Sequence, residues 1–180
     1  MPLLVSERIL PLPRHVREAL IDIWCPEGRR DVRNRDCLMR IYLGQRHSKG
    51  TPYGGNFSLR NFKLTLEKVE QLGLEKGPMA VAIAEGLAAL HWGARCNAQD
   101  VEFVIGTSRI PEDDHQVRRT VDVWLLDFNQ CTPITMDEKG CMEAAKAFWG
   151  NDPYYPRPLT KVQPFHSLDK EVFEDRNNAD

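Results

Sequence analysis

Thr120-Val121-Asp122-Val123-Trp124-Leu125-Leu126-Asp127-Phe128-Asn129-Gln130 is the stretch on which the fold turns. Val121, Val123 and Leu125 alternate with Asp122, Trp124 and Leu126, the period-two pattern of a buried or half-buried β-strand. The strand delivers Asp127 and Phe128 at its end. A carboxylate where a strand runs out, anchored by the apolar residue after it, can hold a hard cation rigidly at the mouth of a cleft. An Asp that merely caps a turn is the commoner arrangement, so the neighbouring segments have to decide.

Working upstream, Val101-Glu102-Phe103-Val104-Ile105-Gly106 reads as a second strand. The charged segment Thr107 to Arg119, with Glu112-Asp113-Asp114 and Arg118-Arg119, is expected to be a surface insertion between the two strands. Gly93 to Asp100 is a short polar loop, and before it Pro78 opens the longest helical segment, Met79 to Trp92. Met79, Ile83, Leu87 and Leu90 form one stripe, and Ala80, Ala84 and Ala88 would allow close approach on another. This helix is expected to be central and buried, with His91 near its terminal carbonyls and the Trp92 indole in the core.

Further out, Leu10-Pro11-Leu12-Pro13 forces an extended turn before a helix over Arg14 to Trp24, which Pro26 and Gly28 stop. The Arg- and Asp-rich Glu27 to Asp36 reads as a solvated loop rather than a phosphate site. Cys37 to Gly44 predicts a strand, and Phe57 to Phe62 its antiparallel partner across a flexible loop, His47 to Asn56. Gly54-Gly55 in that loop lacks the spacing of a phosphate cradle. Thr65 is expected to cap a helix that Gly73 ends. Asp137-Glu138 leads an amphipathic helix to Trp149 with Met142, Ala145 and Phe148 inward. Asn151 to Pro158 should be rigid and extended, its aromatics packed on that helix, and Lys161 to Asp180 a frayed tail.

The 180 residues suffice for one domain with a real core, and a formal charge of -2 creates no field that would draw in nucleic acid or an anionic membrane. No apolar run approaches a membrane span, and Met1 to Arg8 lacks signal-peptide architecture, so the expectation is an intracellular protein. Cys25, Cys37, Cys96, Cys131 and Cys141 are odd in number and never paired as C-x-x-C, and the five histidines are equally scattered. Reduced thiols packed as small apolar groups fit that pattern better than a zinc site does.

A long helix, a polar loop, a β-hairpin and an Asp-Phe turn, in that order, resemble the C-terminal lobe of protein-kinase-like folds, in which a D-F-G turn holds the metal. The resemblance implies that Asp127 would bind Mg²⁺, with Phe128 and Asn129 beside it, and that Asp100, or else Asn97, would supply the loop's polar group. Asp100 and Asp127 would then be the catalytic pair. The chain departs from the pattern: it has no His-Arg-Asp, no Gly-rich loop and no V-A-I-K strand, so the nucleotide phosphates would lack their cover and their Lys.

A second resemblance rests on long matching stretches: Ser6 to Pro13, Asp36 to Gly44, Phe57 to Phe62, Ala84 to Trp92, Asp100 to Val104, Trp124 to Cys131 and Ala147 to Pro158. These resemble a fungal family of unknown function whose members are often called zinc finger proteins without zinc-finger spacing, and the chain is similar to that family's C-terminal portion. The fold expected is α+β and mainly helical, a kinase-like C-terminal lobe with β-hairpins and the N-terminal lobe largely missing. Residues 1–160 would form one domain and 161–180 a partly disordered tail. The function expected is a non-catalytic domain binding a small ligand or a protein partner. The alternatives are a phosphotransferase or other metal-dependent enzyme centred on Asp127 and Asp100 and completed by a partner chain, or a nucleic-acid-associated regulatory protein.

Overall fold

The computed structural model describes residues 7–25, 32–44, 57–111, 117–151 and 154–156. The alternation around Val121 to Leu126 becomes one edge of a four-stranded mixed sheet. Its strands are β1 (Met39–Tyr42), β2 (Phe62–Thr65), β3 (Glu102–Pro111) and β4 (Val117–Leu126), arranged β2-β1-β3-β4. β3 pairs antiparallel with β4 from Glu102↔Leu126 to Pro111↔Val117, and β1 pairs antiparallel with β3 through Met39↔Ile105 and Arg40↔Val104. Val101 to Thr107 is buried without a break, with β1 and β4 along the edges of the strand and Gly86 of α3 against Phe103.

Two strand expectations are corrected. The partner of β1 is parallel and starts later, with Met39 opposite Phe62 and Tyr42 opposite Thr65. Leu59 is fully buried and its N–H donates to Asn34 Oδ1 at 2.8 Å, while Asn61 takes a φ of 58°. The chain turns there, so Phe57 to Asn61 is spent on the reversal. The supposed insertion, Thr107 to Arg119, is mostly ladder, although residues 112–116 lie outside the described ones. It extends because the N-terminal segment is stitched to it: Leu10 N–H donates to Thr107 O and Thr107 N–H to Leu10 O, at 2.9 and 2.8 Å.

The helices are α1 (Arg14–Trp24), α2 (Leu66–Gln71), α3 (Lys76–Ala88) and α4 (Glu138–Gly150), with a π-turn over Ala89–Gly93 continuing α3. Thr65 does precede α2, but it is also the last residue of β2, and its buried hydroxyl makes no capping bond. Asp137 does cap α4, accepting from Gly140 N at 3.0 Å. Phe148 packs inward as expected, but the buried residues of α4 are Gly140, Ala144 and Ala147, and Met142 is 37% exposed. A Cβ on Gly140 would collide with the Thr135 carbonyl, so the capping turn itself sets which face turns in.

α3 covers the sheet without being central. Ile83 and Leu87 are buried and Met79 and Leu90 pack beside them, as their spacing predicts, but Ala84 is exposed and Trp92 is 68% exposed. Close approach comes through Gly86, where a Cβ would meet Phe103 at 2.9 Å and Leu125 at 3.1 Å. The core joins these residues to Ile41, Leu64, Val69, Val101 and Tyr155. Tyr155 stacks on Phe148 of α4 at 4.5 Å, as expected of the aromatic segment. The architecture is α+β, with one sheet in place of separate hairpins. The loop at 45–56 and the tail from 161 lie outside the described residues, among which no helix is long and apolar enough to cross a membrane.

The contrast between two small residues on α3 is testable. Gly86→Leu should lower unfolding free energy by about 1–3 kcal/mol through overpacking, whereas Ala84→Leu should stay within about 0.5 kcal/mol. Urea titration of both variants checks this, and equal effects would contradict the assigned face.

Candidate functional site

Two loops meet at one end of the β3–β4 ladder. The first runs from Ala94 to Val101, and the second from Asp127 to Asp137. A short antiparallel bridge joins them: Cys96 opposes Pro133, Asn97 N–H donates to Thr132 O at 3.0 Å, and Ile134 N–H donates to Arg95 O at 2.9 Å. The Asn97 side chain completes the joint. Its amide donates to Thr132 Oγ1 at 2.8 Å, and its carbonyl accepts from Thr132 N and Gln99 N at 3.0 and 3.1 Å. Asn97, singled out as a ligand contact, is placed where it holds the two loops together.

A third element braces the first loop from below. Asn151, at the end of α4 and only 4% exposed, accepts from Asp100 N at 2.9 Å and donates to Ala98 O and Tyr155 Oη at 2.9 and 3.0 Å. With both loops fixed, their backbone can be held in a costly conformation. Arg95, Ala98, Asp100 and Asp127 have φ between 52° and 66°, four of the five non-glycine residues with positive φ among the described residues. The left-handed region costs most residues of order 1 kcal/mol or more and persists only where surrounding contacts over-determine it.

The register sets the positions of the two acids. Glu102 opposes Leu126, so Asp100 and Asp127 leave adjoining ends of neighbouring strands and share a rim. Asp127, Phe128 and Asn129 are exposed, Phe128 by 50%. Asp100 is half-buried, and its Oδ2 accepts from Gln130 Nε2 at 2.6 Å. Both carboxylates act on a third that sequence reasoning missed. Glu102 is 5% exposed, pairs with Arg40 Nη1 at 2.8 Å and accepts from Tyr154 Oη at 3.3 Å, while its Oε2 is buried without a partner. Burial raises its pKa, Arg40 and the Tyr154 hydroxyl pull it down, and Asp127 and Asp100 push it up again. The available signal was a charge inside an otherwise apolar run, Val101 to Ile105, that is too continuous to have a solvent face.

His91 lies just before the first loop, where burial lowers its pKa and a hydrogen bond with the Asn97 backbone opposes that effect. Among the described residues no group of three or more His, Cys, Asp or Glu side chains could hold a metal ion. The donor set fits a hard cation in part. Asp127 and Asp100 would supply oxygen ligands, the Asp100 Oδ2 already engaged by Gln130, and Mg²⁺ is often held by one or two carboxylates plus the oxygens of water and phosphate.

Two predictions come from this geometry. Asn151→Ala strips partners from Asp100 N and Ala98 O, and should cost about 2–4 kcal/mol in urea unfolding; a change under about 0.5 kcal/mol would show that the brace carries no weight. For Glu102, the folded pKa lies above the unfolded one, so its contribution to stability is complete below the unfolded value of about 4.3. That contribution is lost as pH rises through the raised folded value. Wild type should therefore gain stability relative to Glu102→Gln as pH falls from 7 toward 4, and parallel pH–stability curves would refute the burial effect.

Residues 123–176 match the model of a family of unknown function, DUF3669, described as "Zinc finger protein". The match begins within β4, takes in the second loop and α4, and runs on past the described residues. The Cys and His residues in it are Cys131, Cys141 and His166, which are not spaced as zinc-finger ligands. No curated protein and no solved structure matches the chain.

Proposed function

We propose that this is a non-catalytic, kinase-like domain whose rim of two joined loops binds a protein partner through a basic side chain seated on Asp127 and Asp100. The carrying observation is the over-determined rim. The left-handed backbone at Ala98 and Asp100 is held by Asn151, and Asn97 ties that loop to the one bearing Asp127, which lowers the ordering cost of presenting the acids at binding. Trp92 and Phe128, both largely exposed, border the two loops and supply apolar area beside the charge. The succession of α3, polar loop, β3–β4 ladder and Asp127-Phe128 supports the kinase-like reading, and the loop from Gly93 to Asp100, which has no His-Arg-Asp, favours binding over phosphoryl transfer.

The test is selection of peptides from a random library on the full chain. Enrichment of Lys or Arg among the binders is expected, with affinity that falls with salt and is lost in Asp127→Asn. Binders without basic residues, or binders indifferent to that substitution, would overturn the reading.

The placement of two carboxylates at adjoining strand ends favours one second reading, a phosphotransferase or other Mg²⁺-dependent enzyme completed by another chain. On that reading ATP with Mg²⁺ at a hundred times its Kd would stabilise the fold by about 2.7 kcal/mol, and Asp127→Ala would abolish the gain. An unchanged Tm in wild type would remove it.

A further inference from the structure

The joint between the loops carries a second chemistry that the acidic rim does not use. Cys96 lies opposite Pro133 in the antiparallel bridge, and Cys131 lies two residues before Pro133. Residues two apart in extended pairing share a face, so the two cysteines stand on the same side as diagonal neighbours. The Cys96 sulfur is close enough to act on the Cys131 thiol and raise its pKa. Each sulfur is also held by a backbone carbonyl, Cys96 Sγ donating to Leu90 O at 3.6 Å and Cys131 Sγ to Gln99 O at 3.8 Å. Both residues are half-buried, within reach of a small reagent, and neither is in a disulfide.

We infer that Cys96 and Cys131 form a redox-active dithiol that closes to a disulfide, clasping the loop that bears Asp100 to the loop that bears Asp127. The bridge has already brought together two residues far apart in sequence, so closure demands little further ordering. The inference stands whether or not the rim binds a basic partner, because it needs only the two sulfurs and the joint beneath them.

The oxidant is a low-molecular-weight disulfide, and the reaction is thiol–disulfide exchange. The Cys96 thiolate attacks one sulfur of the reagent, forms a mixed disulfide and expels one small thiolate. Cys131 then loses its proton and attacks the Cys96 sulfur, breaking the mixed disulfide and expelling the second small thiolate. The protein thiols lose two electrons, the reagent gains them, and the two protons released end on the two departing thiols. Cys96 attacks first because burial, followed by the neighbouring Cys96 sulfur, raises the Cys131 thiol to about 11 and keeps it protonated. Cys37 provides an internal contrast: it is fully buried, and burial raises its thiol to about 12, so it should stay unmodified.

The experiment is incubation of the full chain with oxidised glutathione, acid quenching, alkylation of remaining thiols and peptide mass spectrometry. The expected product is one intramolecular disulfide between Cys96 and Cys131, with the loss of two hydrogens per chain, reversed by dithiothreitol. In Cys131→Ser the glutathione adduct should persist on Cys96. In Cys96→Ser, Cys131 should react roughly tenfold more slowly, as a largely protonated thiol does. Circular dichroism confirms that both variants fold. Lasting glutathione adducts on both cysteines of wild type, a cross-link from either one to Cys25 or Cys141, or a cross-link between chains would each overturn the inference. So would failure of both residues to react.

Discussion

The ten-rung pairing of β3 with β4 is the constraint on which the other features depend. With side chains alternating on a two-residue period, a slip of one residue would turn Phe103 and Ile105 away from the core and move Asp127 off the rim. Several separate contacts hold that register. The N-terminal segment bonds to Thr107 midway along β3, β1 lies along Val104 and Ile105, and α3 presses Gly86 against Phe103 and Leu125.

Downstream of the ladder, the joined loops show how a fold maintains a conformation that local preferences oppose. The left-handed residues Ala98 and Asp100 would relax if they were free, and Asn151 holds them because its own amide is buried and finds its partners there. The same logic fixes Glu102. A buried carboxylate needs Arg40 and Tyr154 to offset its lost hydration, and the acids at the rim above it add to that cost. Sites that concentrate strain and like charge in this way are where proteins tend to place function, so binding at this rim has a physical as well as a positional rationale.

Legibility from sequence followed the range of the interactions involved. The strand at Val121 to Leu126, the helix at Arg14 to Trp24, the Asp137 cap and the stripe of Ile83 and Leu87 were readable because each is set by neighbours within a turn or two of chain. The Asp127-Phe128 turn was visible for the same reason. The direction of β2 was not, because it depends on Leu59 being buried and bonded to Asn34. The inward face of α4 was not either, because the Thr135 carbonyl chooses it by excluding a Cβ from Gly140.

By itself, then, the sequence determined that this is a mixed α+β chain with a strand ending in an acid, a long helix ahead of it and thiols too scattered to be paired by spacing. Only the tertiary structure decided which scattered groups come together: Asp100 and Asp127 at one end of the ladder, each acting on Glu102, Asn97 on Thr132, and Cys96 near Cys131. The physical reason is that periodicity and capping are short-range effects carried by adjacent residues. Bonds between chain segments roughly thirty to fifty residues apart form only once burial has fixed the sheet register.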